Sequence, residues 1–262
     1  MNRLSCLAAV AGSWLFTGAA LASASPVSIE IVDANGQVFR EFPVNARDGA
    51  LRSYLQAEKG ARYQVRVRNT TGVRLGLVIA VDGRNIINGA KSELSRSEPM
   101  YVLDAWGTQD YAGWRANLDA INEFYFTDWT DSYAEAFGDR SVRGVIAVAV
   151  YGEVPPPRPV YQPLEKRERS ADSAAGAPAN APPSARSDAA SEKSAGTGYG
   201  DRRVDHAVRV KFVADDQTPT RHFIKYEWRE TLCRKHLIEC GEKNRFWDEA
   251  TLGFAPPPPR RR

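Results

Sequence analysis

The sequence predicts a mostly-β protein, and three features of the chain lead there. Apolar and polar residues alternate with a period of two over several short stretches. Turn dipeptides separate those stretches, and two further runs are almost wholly apolar and rich in β-branched residues. A period of two puts one face of a strand in the interior and the other in water, whereas a continuous apolar run suits a strand covered on both faces.

The elements follow in order. Val27, Ile29 and Ile31 alternate with Ser28 and Glu30, and Asn35-Gly36 then supplies a hairpin turn. Tyr63, Val65 and Val67 alternate with Gln64, Arg66 and Arg68 until Asn69-Thr70-Thr71-Gly72 breaks the strand. Leu75 to Val81 reads as a central strand, turned by Asp82-Gly83. Met100 to Leu103 and Glu123 to Thr127 are short strands, and Val142 to Tyr151 is the second continuous apolar run. Ser132 and Glu135 have the spacing of a capping box, with Gly138 at the C-cap of the short helix they frame. Many short strands divided by turns point to an antiparallel β-sandwich, immunoglobulin-like or jelly-roll-like.

Composition divides the chain further. Residues 1–24 carry a basic start at Arg3, an apolar run from Leu4 to Leu21 and small residues at Ala22-Ser23-Ala24, the layout of a secretory signal peptide. Cleavage there would release a soluble chain from Ser25; the run is also near the length of a membrane span, so a membrane association follows only if it stays uncleaved. Residues 25–152 form the sandwich. Residues 153–200 are dominated by Pro, Ala and Ser with balanced charge, too poor in large apolar residues to repay their ordering entropy, and are expected to be a disordered linker. Within it Gly196-Thr197-Gly198-Tyr199-Gly200 superficially resembles a phosphate loop, but no strand precedes it, so it reads as a flexible hinge. Residues 201–255 regain alternation at Val208, Val210 and Phe212 and again at Ile224, Tyr226 and Trp228. Two strands alone are marginal in water, so this hairpin is expected to complete the first sheet system, the alternative being a separate disulfide-stapled subdomain. Residues 256–262 are a Pro/Arg tail.

Lys and Arg number 14 against 16 Asp and Glu in residues 25–152, a net of −2, and 14 against 10 in residues 201–262, a net of +4. The basic C-terminal part favours anionic envelope surfaces. For an exported protein, nucleic acid is excluded as a partner. Cys233 and Cys240 are the cysteines that would survive cleavage, and an oxidising compartment pairs them as a disulfide closing a short loop, worth about 2–3 kcal/mol. A zinc site through His236 lacks a fourth ligand at usual spacing, so no metal or cofactor is expected.

The densest local feature is aromatic. Ten aromatics fall between Met100 and Phe137, among them Trp106, Trp114 and Trp129, with Asp104 and Asp128 nearby. Exposed rings beside carboxylates can stack on sugars, and the same rings can instead fill a sandwich interior. A hydrolase would need two carboxylates facing one cleft, and Asp104, Glu123 and Asp128 show no spacing that singles out a pair. Asn69-Thr70-Thr71 matches a glycosylation acceptor for a eukaryotic host. The three histidines join no nucleophile elbow, so no catalytic residue is assigned.

The stretches Gly76-Leu77-Val78-Ile79-Ala80-Val81-Asp82-Gly83-Arg84-Asn85-Ile86-Ile87 and Lys225-Tyr226-Glu227-Trp228-Arg229-Glu230-Thr231-Leu232-Cys233 are similar to those of exported proteobacterial proteins of unknown function. That resemblance implies a bacterial envelope location and one unit built from both segments, and brings no functional residue with it. The sequence therefore reads as a non-catalytic periplasmic or secreted sandwich that binds an envelope or extracellular protein or glycan. The alternative is a carbohydrate-active protein, either a glycan-binding module or a hydrolase, using residues 100–137.

Overall fold

The computed structural model describes residues 25–45, 48–155 and 194–240. The signal peptide, residues 156–193 of the linker and the Pro/Arg tail lie outside the described residues. The strands are β1 (Val27–Asp33), β2 (Glu41–Val44), β3 (Leu51–Ala57), β4 (Arg62–Asn69), β5 (Leu75–Val81), β6 (Arg84–Asn85) and β7 (Tyr101–Leu103). They continue with β8 (Thr108–Tyr111), β9 (Gly113–Asn117) and β10 (Ala120–Asp128), after which a 3-10 turn (Trp129–Asp131) leads into helix α1 (Tyr133–Ala136). The chain then forms β11 (Val145–Gly152), β12 (Ala195–Thr197), β13 (Arg202–Val204), β14 (Thr220–Trp228) and helix α2 (Arg229–Arg234).

These strands make two sheets packed face to face. The first runs β1-β4-β10-β12, with β8 on β4 and with β9 and β13 on β10. Strands β4 and β10 pair only at Tyr63–Phe124 and Arg62–Tyr125, and the bent stretch β8–β9 fills the gap beyond, bonding first to β4 and then to β10. The second sheet runs β2-β3-β14-β11-β5, with β6 and β7 on β5. The sandwich expected from the alternation is therefore present, and its neighbouring strands are antiparallel with one exception. Strand β14 lies parallel to β3, from His222 opposite Leu51 to Trp228 opposite Ala57. A parallel pair needs a long crossover, and the chain between Ala57 and Thr220 supplies it.

Periodicity explains the layers. On β4, Tyr63, Val65 and Val67 are buried between the sheets while Gln64, Arg66 and Arg68 face outward. All seven residues of β5 are buried, as a strand covered on both faces requires. Its Leu75, Leu77, Ile79 and Val81 join the main core; Val78 and Ala80 join a smaller cluster on the outer face with Leu94, Ala147, Ala149 and Tyr151. The loop that covers this outer face is organised by the Glu98 carboxylate, which accepts from Ser92 Oγ at 2.7 Å and from the backbone N–H groups of Glu93 and Ser95 at 2.9 and 2.8 Å. Each fully buried large side chain contributes roughly 1.5–3 kcal/mol.

The turns behave as their residues dictate. Asp82 and Gly83 both take positive φ, +49° and +80°, so the two-residue connection of β5 to β6 has the mirror-image geometry that suits right-twisted strands. Ser132 Oγ accepts from the Glu135 backbone N–H at 3.2 Å, and Gly138 adopts φ +66°, which completes the framed helix.

The C-terminal part departs from expectation. It completes the second sheet with one strand instead of a hairpin. Residues 208–213 form no strand, and Val208, Val210 and Val213 are exposed. The expected second strand over Phe223–Leu232 stops at Trp228 and turns into α2, whose Leu232 is fully buried. A disulfide ties Cys233, in that helix, to Cys240 beyond its end. The hinge reading of Gly196–Gly200 is also corrected, because Ala195, Gly196 and Thr197 are a buried strand against Phe126–Asp128. A Cβ at Gly198 would lie 2.2 Å from the Tyr125 ring, so glycine is there for close approach and not for looseness.

Because β14 sits between β3 and β11, its loss would divide the second sheet and expose two edges. We expect the fragment Ser25–Gly152 to be unfolded or aggregated, while the chain to Arg262 unfolds cooperatively; chemical denaturation followed by tryptophan fluorescence separates the outcomes. A cooperative transition of full amplitude in the fragment would refute the shared sheet.

Candidate functional site

The aromatic region divides on inspection of its environment. Trp114 is buried, donates Nε1–H to the Gly198 carbonyl at 3.0 Å and packs on Phe124 and Tyr133 at ring distances of 5.3 and 4.3 Å. Trp129 is buried as well, donating to Glu135 Oε2 at 2.8 Å beneath the Arg143 guanidinium. Tyr63 stacks on Phe126 at 4.3 Å. These rings fill the interior, where a sandwich needs bulk, and cannot serve as a flat platform.

Trp106 is different: it is 68% exposed, holds φ at +60° and lies over Gly72. Exposed Asp104 shares its turn, with the Asp104 carbonyl accepting from Gly107 N–H at 3.0 Å and from Asn69 Nδ2 at 2.9 Å. Asp128 stands at the end of β10, paired with Lys59. The structure thus brings Asp104 to Trp106 and Asp128 to Trp129, but leaves Trp114 and Trp129 inaccessible. Glu123 is held by Arg62 and Arg203 at 3.1 and 3.3 Å. The glycosylation reading of Asn69 meets a physical obstacle, since its amide is fully buried and its nitrogen is spent on Val73 O and Asp104 O.

Between the sheets lies a polar chain that spacing did not reveal. Asp82, wholly buried, accepts from Tyr226 Oη at 2.7 and 2.8 Å, from Thr197 N–H at 2.8 Å and from Val145 N–H at 3.2 Å. Thr197 Oγ1 lies 2.7 Å from Tyr226 Oη and 2.7 Å from Tyr63 Oη. Each hydroxyl has one proton to give. Since Tyr226 gives its own to Asp82, the order is fixed: Tyr63 donates to Thr197, Thr197 to Tyr226 and Tyr226 to the carboxylate. Burial pushes the Asp82 carboxyl up to about 6, against the opposing pull of the donors from Tyr226, Thr197 and Val145. Burial also holds both phenols well above their ordinary value, so they stay protonated donors. The chain is sealed from solvent and fully partnered, which makes it a fastening between layers and not a reaction centre. In the sequence Asp82 showed only as half of a turn, and Thr197 sat in a run with the composition of a hinge.

Grooves mark the surface of the described residues, and three of them bear on the site. One of about 660 Å³ crosses the outer face of the first sheet, lined by Ser28, Glu30, Arg66, Arg68, Thr70, Thr108, Gln109 and Asp110. Another of about 370 Å³ lies on the outer face of the second sheet around Ala80, Ala147 and Phe223, and the third, of about 720 Å³, runs beside α2 past Lys59, Asp128 and Arg234. None of the three tryptophans singled out above lines any of them.

In the first groove, register sorts the charges. Arg66 stands between Glu30 and Asp110 and makes a two-pronged contact with Asp110 at 2.8 Å on each prong. Arg68, two residues on, stands between Ser28 and Thr108, exposed and without an ion-pair partner among the described residues. No protein-family model, characterised protein or solved structure matches this chain.

Asp82 yields a pH test. Its folded value of about 6 lies above the ordinary 3.8, so the folded state takes up its proton first and this group favours folding below about pH 4. That contribution is lost as pH rises through about 6, and the two-unit gap corresponds to about 3 kcal/mol. In denaturant titrations the stability of the natural chain minus that of Asp82→Asn should fall between about pH 4 and pH 6. A flat difference would show that Asp82 has the same proton affinity folded and unfolded.

Proposed function

We propose that this protein is a non-catalytic binding protein of the bacterial envelope or its surroundings, exported by its N-terminal segment. It would meet an anionic partner through the outer face of the first sheet. The observation that carries this reading is Arg68: a guanidinium in an open groove, flanked by hydroxyls instead of carboxylates, while its neighbour Arg66 is already neutralised. A guanidinium presents paired N–H donors that match carboxylate, sulfate or phosphate oxygens, and the flanking Ser28, Thr70 and Thr108 hydroxyls can serve the remaining oxygens. The signal-like layout of residues 1–24 supports the same reading, because anionic lipids and acidic glycans are the abundant polyanions outside the cytoplasm. No helix among the described residues is long and apolar enough to cross a membrane. One observation favours a second reading, a glycan contact: Trp106 and Asp104 remain exposed together in one turn.

Co-sedimentation with purified bacterial envelope, and with a polyuronate in parallel, tests both. The full chain should bind in a salt-sensitive way, and Arg68→Glu should weaken binding about tenfold without altering thermal stability, as expected for one lost charged contact. If Arg68→Glu binds as well as the natural chain and Trp106→Ala does not, the turn is the site and the Arg68 groove is not.

A further inference from the structure

The segment with the clearest strand pattern in the C-terminal part of the sequence, Val208-Arg209-Val210-Lys211-Phe212-Val213, is not in either sheet. From Asp205 to Val213 the chain contains no turn, bend or helix. Its ends are fastened: Ala207 N–H donates to Leu118 O at 2.7 Å, and Val213 O accepts from Val154 N–H at 2.8 Å. The Phe212 ring sits so close to the backbone that a Cβ on Gly76 would fall 2.6 Å from it. Between these anchors the backbone groups of 208–212 have no backbone partner among the described residues; the Lys211 carbonyl accepts from the Arg74 side chain, Nη2 to O, at 3.4 Å. Val208 and Val210 are 82% and 52% exposed, and Arg209 and Lys211 lie in no ion pair among the described residues.

A stretch of high strand propensity, fastened at both ends and with N–H and C=O groups that have no backbone partner among the described residues, is a template for another strand. We propose that residues 208–212 form the docking edge for an extended acidic segment of a partner protein, which adds to this chain as a strand. Main-chain bonds would supply the attachment, and side chains on alternate positions the selectivity. Valines at 208 and 210 call for apolar residues at every second position of the partner, and the cations at 209 and 211 call for carboxylates between them. Charge also argues against a second copy as the occupant, since pairing the segment with itself sets Arg209 and Lys211 on the same face as their like-charged counterparts, which is destabilising. The proposal deepens the binding reading by naming a partner class, but it stands apart from the Arg68 groove.

The probe is a blocked, fluorescent peptide of about six residues alternating Val and Glu, with a Val and Lys peptide of the same length as control. Anisotropy with the full chain should show saturable binding of the acidic peptide alone. The double variant Arg209→Glu, Lys211→Glu should weaken it at least about tenfold and admit the basic peptide. Val210→Pro, which removes one amide donor and no charge, should weaken it by a similar factor. Because the segment lies on the surface, all variants should melt with the natural chain, and Arg68→Glu should bind the peptide normally. Failure of the acidic peptide to bind, or equal binding of both peptides, overturns the proposal. Loss on charge reversal with full binding by Val210→Pro also overturns it, because attraction would then need no added strand. So does a dimer of the natural chain that Val210→Pro abolishes, because the occupant would then be a second copy. Loss of envelope binding in Arg68→Glu with peptide binding intact would concern the other surface, and peptide failure with envelope binding intact would concern this one.

Discussion

A single line of hydrogen bonds from Tyr63 through Thr197 and Tyr226 to Asp82 fastens this sandwich together. Its four members come from β4, β12, β14 and the turn after β5, so both sheets and both halves of the sequence contribute. A buried carboxylate left without donors would cost several kcal/mol, and each donor removed moves the site toward that penalty. The surrounding apolar packing can be satisfied in many ways, but this line is satisfied only when β4, β12, β14 and the turn after β5 are in place together. The large rings of Phe124, Phe126 and Trp114 then close around it. Directionality matters as much as burial: with one proton per hydroxyl, the line has a donor end at Tyr63 and an acceptor end at Asp82, and neither can be exchanged for an apolar residue without orphaning the next.

That constraint explains why function is pushed to the outside. The polar groups of the Asp82 line serve each other, Trp114 and Trp129 are spent on volume, and the outer loop of the second sheet is held by Glu98. Among the described residues, charge on strand faces, the Trp106 turn and the strand-like backbone of 208–212 face outward. Arg66 and Arg68 show how register decides availability: two arginines on the same strand and face differ because one has acidic cross-strand neighbours and the other has hydroxyls.

Much of the architecture was legible because burial imposes period two. The alternation at Val27–Ile31 and Tyr63–Val67, the continuous run Leu75–Val81 and the capping box at Ser132 all describe local decisions, and the chain makes them as written. Pairing decisions are not local. Val208–Val213 and Phe223–Trp228 have equal strand character, yet only the second finds two neighbours, because the space between β3 and β11 admits one strand. The same blindness hid β12. Ala195-Gly196-Thr197 has the composition of a hinge, and its strand is imposed by Phe126–Asp128 alongside and by the close approach of Tyr125 and Ser132. For the candidate site, composition located the tryptophans but could not sort them, since exposure of Trp106 and burial of Trp114 depend on which turn and which strand carry them. The Asp82 line left no trace beyond a turn dipeptide, as its members lie far apart in sequence.

The central place of β14 has a consequence for the newborn protein. A ribosome makes the chain from its N-terminus, so β3 is complete at residue 57 and β11 at residue 152, while the strand that joins them starts at residue 220. At roughly 5–20 residues per second, β3 waits on the order of 10–30 seconds for its neighbour. Until residue 220 is made, the edges of β3 and β11 that β14 will join lack their partner, and Asp82 lacks its phenol. The native state is thus reached only after nearly all of the ordered chain has emerged, in one late step. Until then the chain presents the two strand edges that β14 will cover, the kind of edge to which other strands add.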